Sequence, residues 1–171
     1  VKDAEDALKG ARDIIAEQVS EDEQARNTVR FAFSRQALIT AKVVKGKESE
    51  ADKYRDYFEF SKPLKKCTSH QLLAIRRAEA EGLLKVSISP DDEECVERLE
   101  RRFVRSNNAC GEQVAEAVQD AYKRLLKSSI ETEFAAQSKE QADEEAIRVF
   151  VQNLRQLLLA SPLGQKRVMG I

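Results

Sequence analysis

Residues 110–162 read CGEQVAEAVQDAYKRLLKSSIETEFAAQSKEQADEEAIRVFVQNLRQLLLASP, and this stretch decides the fold. It has no glycine after Gly111 and no proline before Pro162, and it is dense in Ala, Glu, Gln, Leu and Arg, all strong helix formers. At helical spacing Val114, Val118, Ala121, Tyr122, Leu125, Ile130 and Phe134 form one apolar stripe. Ile147, Phe150, Val151, Leu154, Leu157 and Leu158 form a second. Both stripes are expected to face a core. Between them, residues 135–146 carry only alanine as an apolar residue, so that segment is expected to be wet on most sides. Two arrangements satisfy the pattern: one helix running straight through as a solvated strut, or a break near Ser138 and a helical hairpin. An unbroken helix of about fifty residues would reach roughly 75 Å and act as a spacer between two bodies.

Working outward, the residues before this stretch read as smaller elements that need something to pack on. Lys2 to Val19 is amphipathic, with Leu8, Ile14, Ile15 and Val19 on one face. Ser20 with Glu23 fits a capping box for a second helix, about 21–36, that buries Ala25, Val29, Ala32 and Phe33. Ile39, Ala41 and Val43 then alternate with Thr40, Lys42 and Val44 as a short strand closed by Gly46. A charged helix over about 48–58 is expected to turn Tyr54, Tyr57 and Phe58 inward, and Pro63 to stop regular structure. Ser69 caps a helix over about His70 to Glu81 that buries Leu72, Leu73 and Ile75, Gly82 ends it, and Leu84, Val86 and Ile88 alternate as a second strand. Ser89 and Pro90 start a further helix to about Val104, with the acids Asp91 to Glu94 at the positive end of its dipole and Cys95, Val96, Leu99 and Phe103 inside. The fold class expected is mainly α: several helices including a helix-turn-helix-like unit, one or two short strands that pair with each other, and a very long C-terminal helix. It divides into a helical domain over 1–108, the long helix or hairpin over 109–162, and a linker over 163–171.

Composition narrows the function. With 171 residues the chain can bury a core unaided. The 29 basic and 30 acidic residues leave a net charge of −1, so no bulk field draws it to nucleic acid or membrane. Three scattered cysteines, Cys67, Cys95 and Cys110, fit reduced thiols in a cytoplasm and small core residues better than a disulfide framework or a zinc site. No apolar run approaches a membrane span.

No catalytic constellation emerges. His70, the only histidine, has no Cys or carboxylate at ligand spacing, so neither a catalytic nor a metal role is expected of it. The acids 91–94 are explained by the helix dipole, and the pairs Glu131 with Glu133 and Glu144 with Glu145 sit on a largely solvated helix with no enclosing pocket. Basic clusters remain. Arg98, Arg101, Arg102 and Arg105 crowd one helix end, Lys62, Lys65 and Lys66 flank Pro63, and Lys42, Lys45 and Lys47 follow the first strand. The first two groups are the candidate nucleic-acid contacts, although interleaved acids dilute each cluster. Helical spacing assigns Tyr54, Tyr57, Phe58 and Phe60 to a core rather than to a base-stacking platform.

Several stretches together resemble the bacterial Tex family of transcription accessory proteins: GARDII at Gly10 to Ile15, VVKGKE at Val43 to Glu48, YRDYF at Tyr54 to Phe58, Pro63-Leu64, Ser69-His70, Glu81-Gly82, and above all EAIRVFVQNLRQLLL at Glu145 to Leu159 with Pro162 and Gly164. The order of that last motif goes beyond what amphipathicity demands. Cys67 and Thr68 stand where relatives often carry a proline before Ser-His, a departure confined to one loop. The resemblance implies the helical N-terminal and central region of a multidomain, S1-type RNA-binding protein of the cytoplasm. The final Val168 to Ile171 would then begin an RNase H-like YqgF domain that lacks nuclease activity. It further implies a non-catalytic scaffold without cofactor. Its contacts with RNA and transcription machinery would run through the parent protein, and its own packing would be against that protein's other domains. Direct nucleic-acid binding by the helix at 69–81 and nearby basic residues is the alternative, and an enzyme using the acidic pairs is the third.

Overall fold

The computed structural model describes residues 3–162 together with 164 and 169; the start of a YqgF domain expected over 168–171 lies, apart from Met169, outside them. In chain order the elements are α1 (Ala4–Glu21), α2 (Glu23–Gln36), β1 (Leu38–Val43), a 3₁₀ helix (Asp52–Tyr57), β2 (Glu59–Pro63), a 3₁₀ turn (Leu64–Lys66), α3 (Ser69–Ala80), β3 (Leu84–Ser89), α4 (Asp92–Phe103), α5 (Ala109–Asp120), a π-helical segment (Ala121–Leu126) and α6 (Lys127–Leu158).

The two alternating runs are strands, and they pair antiparallel with Ile39 opposite Ile88 and Ala41 opposite Val86. A third strand, β2, pairs on the other side of β1, with Ala41 opposite Phe60, so the order is β2-β1-β3. In β2, Phe60 is the only apolar residue apart from the closing Pro63. Proline is tolerated at a strand end because its missing N–H is not needed there.

The helix expected over 48–58 is instead turns followed by the 3₁₀ helix. Antiparallel pairing explains this. Val43 N–H donates to the Phe58 carbonyl, so the connection must bring the chain back to its starting point. Three α-turns would carry it roughly 16 Å away. Tyr54 is buried all the same, and Tyr57 packs edge-on to Phe60 at 5.5 Å. The aromatics are core, as their spacing indicates.

At the α1–α2 junction the expected Ser20–Glu23 capping box does not form. Ser20 lies inside α1, where its hydroxyl donates to the Glu17 carbonyl. Asp22 closes one helix and opens the next: its N–H donates to the Gln18 carbonyl, while its carboxylate accepts from Ala25 N–H at 2.7 Å. That backbone hydrogen bond is the leading cause of its lowered pKa. Similarly, α3 starts one residue earlier than expected, behind Thr68.

From Ala109 to Leu158 the chain is helical for 50 residues without a break at Ser138. Its first half is no solvated strut. Val118, Ala121, Tyr122, Leu126 and Ile130 are all fully buried, in one cluster with Val19, Phe33, Ile75 and Leu99. Residues 118, 122, 126 and 130 repeat every four positions, which an α-helix of 3.6 residues per turn would rotate steadily off the core. The wider π turn at 121–126 absorbs that drift. It also turns Leu126 inward in place of the expected Leu125, which is half-buried. At the start of α5 the helix passes so close to the preceding loop that a Cβ on Gly111 would lie 1.8 Å from the Ser106 carbonyl oxygen.

Polar ties fix the long helix to the body. Glu131 accepts from Ile88 N–H at 2.6 Å and from the Ser87 hydroxyl at 3.0 Å. Glu133 takes a two-pronged contact from Arg30 at 3.0–3.1 Å. These two acids are structural, on a half-buried face that packs against the body. The middle segment packs on α3 and Ala142 is only 4% exposed, but seven of the twelve residues over 135–146 are exposed, so the segment is wet on most sides as expected.

Candidate functional site

The sequence-predicted basic residues fall into two groups that no hydrogen bond or ion pair among the described residues joins. In α4, Arg98 pairs with Glu94 at 2.5 Å and Arg101 with Glu97 at 2.6 Å, each one turn back on the same helix. Arg102 reaches across to Asp22 at 3.2 Å and to Gln24. Only Arg105, beyond the helix end, has no such partner among the described residues. In the second group, Lys62 Nζ donates to the Gln71 side chain at 3.1 Å, whereas Lys65 and Lys66 are exposed and unpaired among the described residues. Helical i, i+4 spacing thus turns two of the four arginines into locally neutral pairs, and Asp22 meets a third. A phosphate approaching α4 would meet carboxylates beside every arginine of the helix.

Two of the acids at the start of α4 are held in structural contacts. Asp91 caps α4, accepting from Glu93 and Glu94 N–H. Asp92, which the sequence marked only as a dipole-compensating acid, is a hub. Its carboxylate accepts from Tyr122 at 2.6 Å and from Ser89 at 3.0 Å, and Lys127 completes the set. Burial pushes the Asp92 pKa up, but the hydrogen bonds from Lys127, Tyr122 and Ser89 outweigh it, and the group titrates below its usual range. Burial, and then the bond to Asp92, drives the Tyr122 phenol far above its ordinary value. Tyr122 sits in the π segment, so the cluster locks that segment to α4.

His70 is exposed, and among the described residues no group of three or more His, Cys, Asp or Glu side chains is placed to hold a metal. Of the cysteines only Cys95 is buried; Cys67 is half-buried and Cys110 exposed. Burial raises both the Cys95 and Cys67 thiols.

The largest departure from expectation lies at the end of α6. The second apolar stripe does not face a core. Ile147 is 63% exposed, Phe150 64%, Leu154 40% and Leu158 75%. The reason is angular. Ala142, Ala146, Val149 and Asn153 share the side of α6 turned toward α3, and at about 100° per residue the stripe lies roughly 110° around the helix from it. Beside the stripe, Leu73 and Ala74 of α3 and Ala146, Val149 and Phe150 of α6 line an open apolar groove of about 730 Å³. Composition held a signal for this: apolar residues at three positions in each seven make a broad face suited to a globular neighbour rather than a narrow coiled-coil seam.

Residues 1–150, which include the body, most of the long helix and the first part of the exposed stripe, match the family described as Tex central region-like. The chain belongs to that family. Among relatives of this Tex-family chain, Transcriptional accessory protein Tex of Neisseria gonorrhoeae is 36% identical over 179 residues, covering 100% of the chain and 23% of the relative. Protein YhgF of Escherichia coli (strain K12) is 36% identical over 181 residues, with the same coverage of 100% and 23%. S1 RNA-binding domain-containing protein 1 of Homo sapiens is 30% identical over 175 residues, covering 95% of the chain and 18% of the relative. The Tex-family chain therefore spans about a quarter or less of the length of these relatives. Among the described residues, no helix is long and apolar enough to cross a membrane.

Proposed function

We propose that this chain is the non-catalytic architectural module of a cytoplasmic transcription accessory protein of the Tex type, and that the outer half of α6 is the seat on which neighbouring domains of the parent pack. The exposed apolar stripe at 147–158 carries this reading. Monomeric surfaces rarely leave such a contiguous patch uncovered. The fixed angle of the long helix, held by Glu131, Glu133 and the Asp92 cluster, suits a part that sets the position of others. In this reading the RNA contacts suggested by the relatives' names are made by other parts of the parent protein, and the division at 108/109 and 162/163 separates a body, its projecting helix and the link onward.

The α4 pairs and the near-zero net charge support indirect rather than direct contact with nucleic acid. The test is fluorescence anisotropy of 3′-labelled single-stranded RNA with a 5′-hydroxyl, and of duplex DNA, at two salt concentrations. The expected result is no salt-sensitive binding. Micromolar binding that weakens steeply with salt, and that charge reversal at Lys62, Lys65 and Lys66 or at Arg101, Arg102 and Arg105 abolishes, would replace the scaffold reading with a direct nucleic-acid contact.

A further inference from the structure

A second cavity, of about 410 Å³, lies where the end of α2, the turn before α3 and the middle of α6 meet. Its size falls within the roughly 300–1,000 Å³ of small-molecule sites. None of the roles assigned above uses it. Its floor is apolar, built from Leu64, Leu72, Ala142 and Phe134. Phe134 is half-buried against Phe33, with ring centroids 5.4 Å apart, so it offers part of an aromatic surface to the cavity.

Several polar groups around this floor have no hydrogen-bond partner among the described residues. Gln137 and Gln141, one turn apart on α6, line the wall, and neither amide has a hydrogen-bond partner among the described residues. Two cations line the same cavity. Arg35 stacks on the exposed Phe31 ring at 5.3 Å, and neither it nor Lys65 pairs with a carboxylate among the described residues. In this they differ from Arg98, Arg101 and Arg102. One anion, Glu145, also lines the cavity, but its carboxylate accepts a hydrogen bond from the Ser69 hydroxyl in the first turn of α3, where the helix end favours negative charge.

We propose that this cavity binds a phosphate monoester carried on a flat heteroaromatic ring, the chemistry shared by a free nucleoside 5′-monophosphate and the 5′-phosphorylated end of an RNA strand. The ring lies on the apolar floor against Phe134. Its edge is read by the two amides, each of which both donates and accepts. The phosphate is met by Arg35 and Lys65. A monoester carries close to two negative charges at neutral pH, which matches two free cations better than the single charge of a phosphodiester inside a strand. The site is independent of the scaffold reading, because it needs neither the distal stripe nor any contact along a nucleic-acid backbone.

The experiment is two-dimensional NMR titration of the ¹⁵N-labelled chain with adenosine 5′-monophosphate, with adenosine, with inorganic phosphate, and with RNA trinucleotides that carry either a 5′-phosphate or a 5′-hydroxyl. Expected are amide shifts confined to residues 34–37, 63–69 and 137–145 with the monophosphate, and weaker ones with adenosine or phosphate alone. The trinucleotides separate the two sources. Shifts from the 5′-phosphorylated trimer as well as from the monophosphate identify a strand end, and shifts from the monophosphate alone identify a free nucleotide. Arg35→Glu with Lys65→Glu, both exposed and remote from the core, should weaken binding by roughly tenfold or more. Glu145→Gln should tighten it by removing the one opposing charge. Absence of shifts at millimolar ligand, shifts mapping elsewhere, equal response to the 5′-hydroxyl trimer, or tightening by the double charge reversal would overturn the proposal.

Discussion

The π turn at 121–126 makes neighbouring leucines unequal, and a pair of alanine substitutions measures the inequality. Leu126 is fully buried against the core shared with Val118 and Ile130, while Leu125 is only half-buried. Leu126→Ala removes about three buried carbons, worth about 2.4 kcal/mol by transfer alone at about 0.8 kcal/mol each. The cavity left behind raises the expected cost to between about 2.5 and 5 kcal/mol. Leu125→Ala forfeits about half the transfer free energy and leaves a site open to water rather than a closed void, so roughly 1 kcal/mol is expected. Urea unfolding followed by circular dichroism gives both values, provided the slope m is unchanged between variants. If Leu125→Ala proves as costly as Leu126→Ala or more so, the helix keeps ordinary α register through this segment. The fourfold repeat of buried positions would then be wrong.

Two further outcomes follow from the same geometry. Phe150→Ala should cost only about 0.5 to 1 kcal/mol in this chain, since Phe150 is 64% exposed and full burial of such a side chain is worth about 1.5–3 kcal/mol. Chemical denaturation showing about 2–5 kcal/mol would mean that the stripe is covered, by a second copy for example, which sedimentation would reveal. Asp92 has a depressed pKa in the folded chain, so its contribution is present above the unfolded value of about 3.9 and is lost as pH falls through the folded value. Asp92→Asn should therefore lower stability at neutral pH, and its deficit should shrink on acidification to about pH 3. A deficit of equal size at both pH values would show that the carboxylate's charge contributes nothing.

Strands β1 and β3 were legible because Ile39, Ala41 and Val43, and Leu84, Val86 and Ile88, alternate cleanly, and alternation is the direct imprint of one buried face. Strand β2 was not, because an edge strand with one large apolar side chain, Phe60, leaves almost no such imprint. The helix expected over 48–58 failed for a non-local reason: its residues favour helix, but the pairing of β1 with β2 leaves no room for one. The long helix was plain from composition, yet neither its straight passage through Ser138 nor its π turn was, because both depend on what the body presents to it. The capping box read at Ser20 does not form because α1 runs on through Ser20, and Asp22 caps α2 instead. As for the candidate sites, the arginine cluster was visible as charge, but its neutralisation by Glu94, Glu97 and Asp22 combines local spacing with one contact from the α1–α2 junction. The cavity beside Phe134 was invisible, since it draws Arg35, Lys65 and Gln137 from segments far apart in the chain.

The carboxylate of Glu131 has a consequence for how this molecule behaves in a crowd. By accepting the Ile88 N–H, it occupies the outer rim of β3 at the point where a foreign strand would have to attach. At the opposite rim, β2 carries Lys62 and terminates in Pro63, a charged side chain and a residue with no N–H to offer. A small sheet with two open rims would be a template for amyloid-like growth. This one is stoppered on both sides, so any self-association of the chain is directed to side chains of the long helix and away from its backbone.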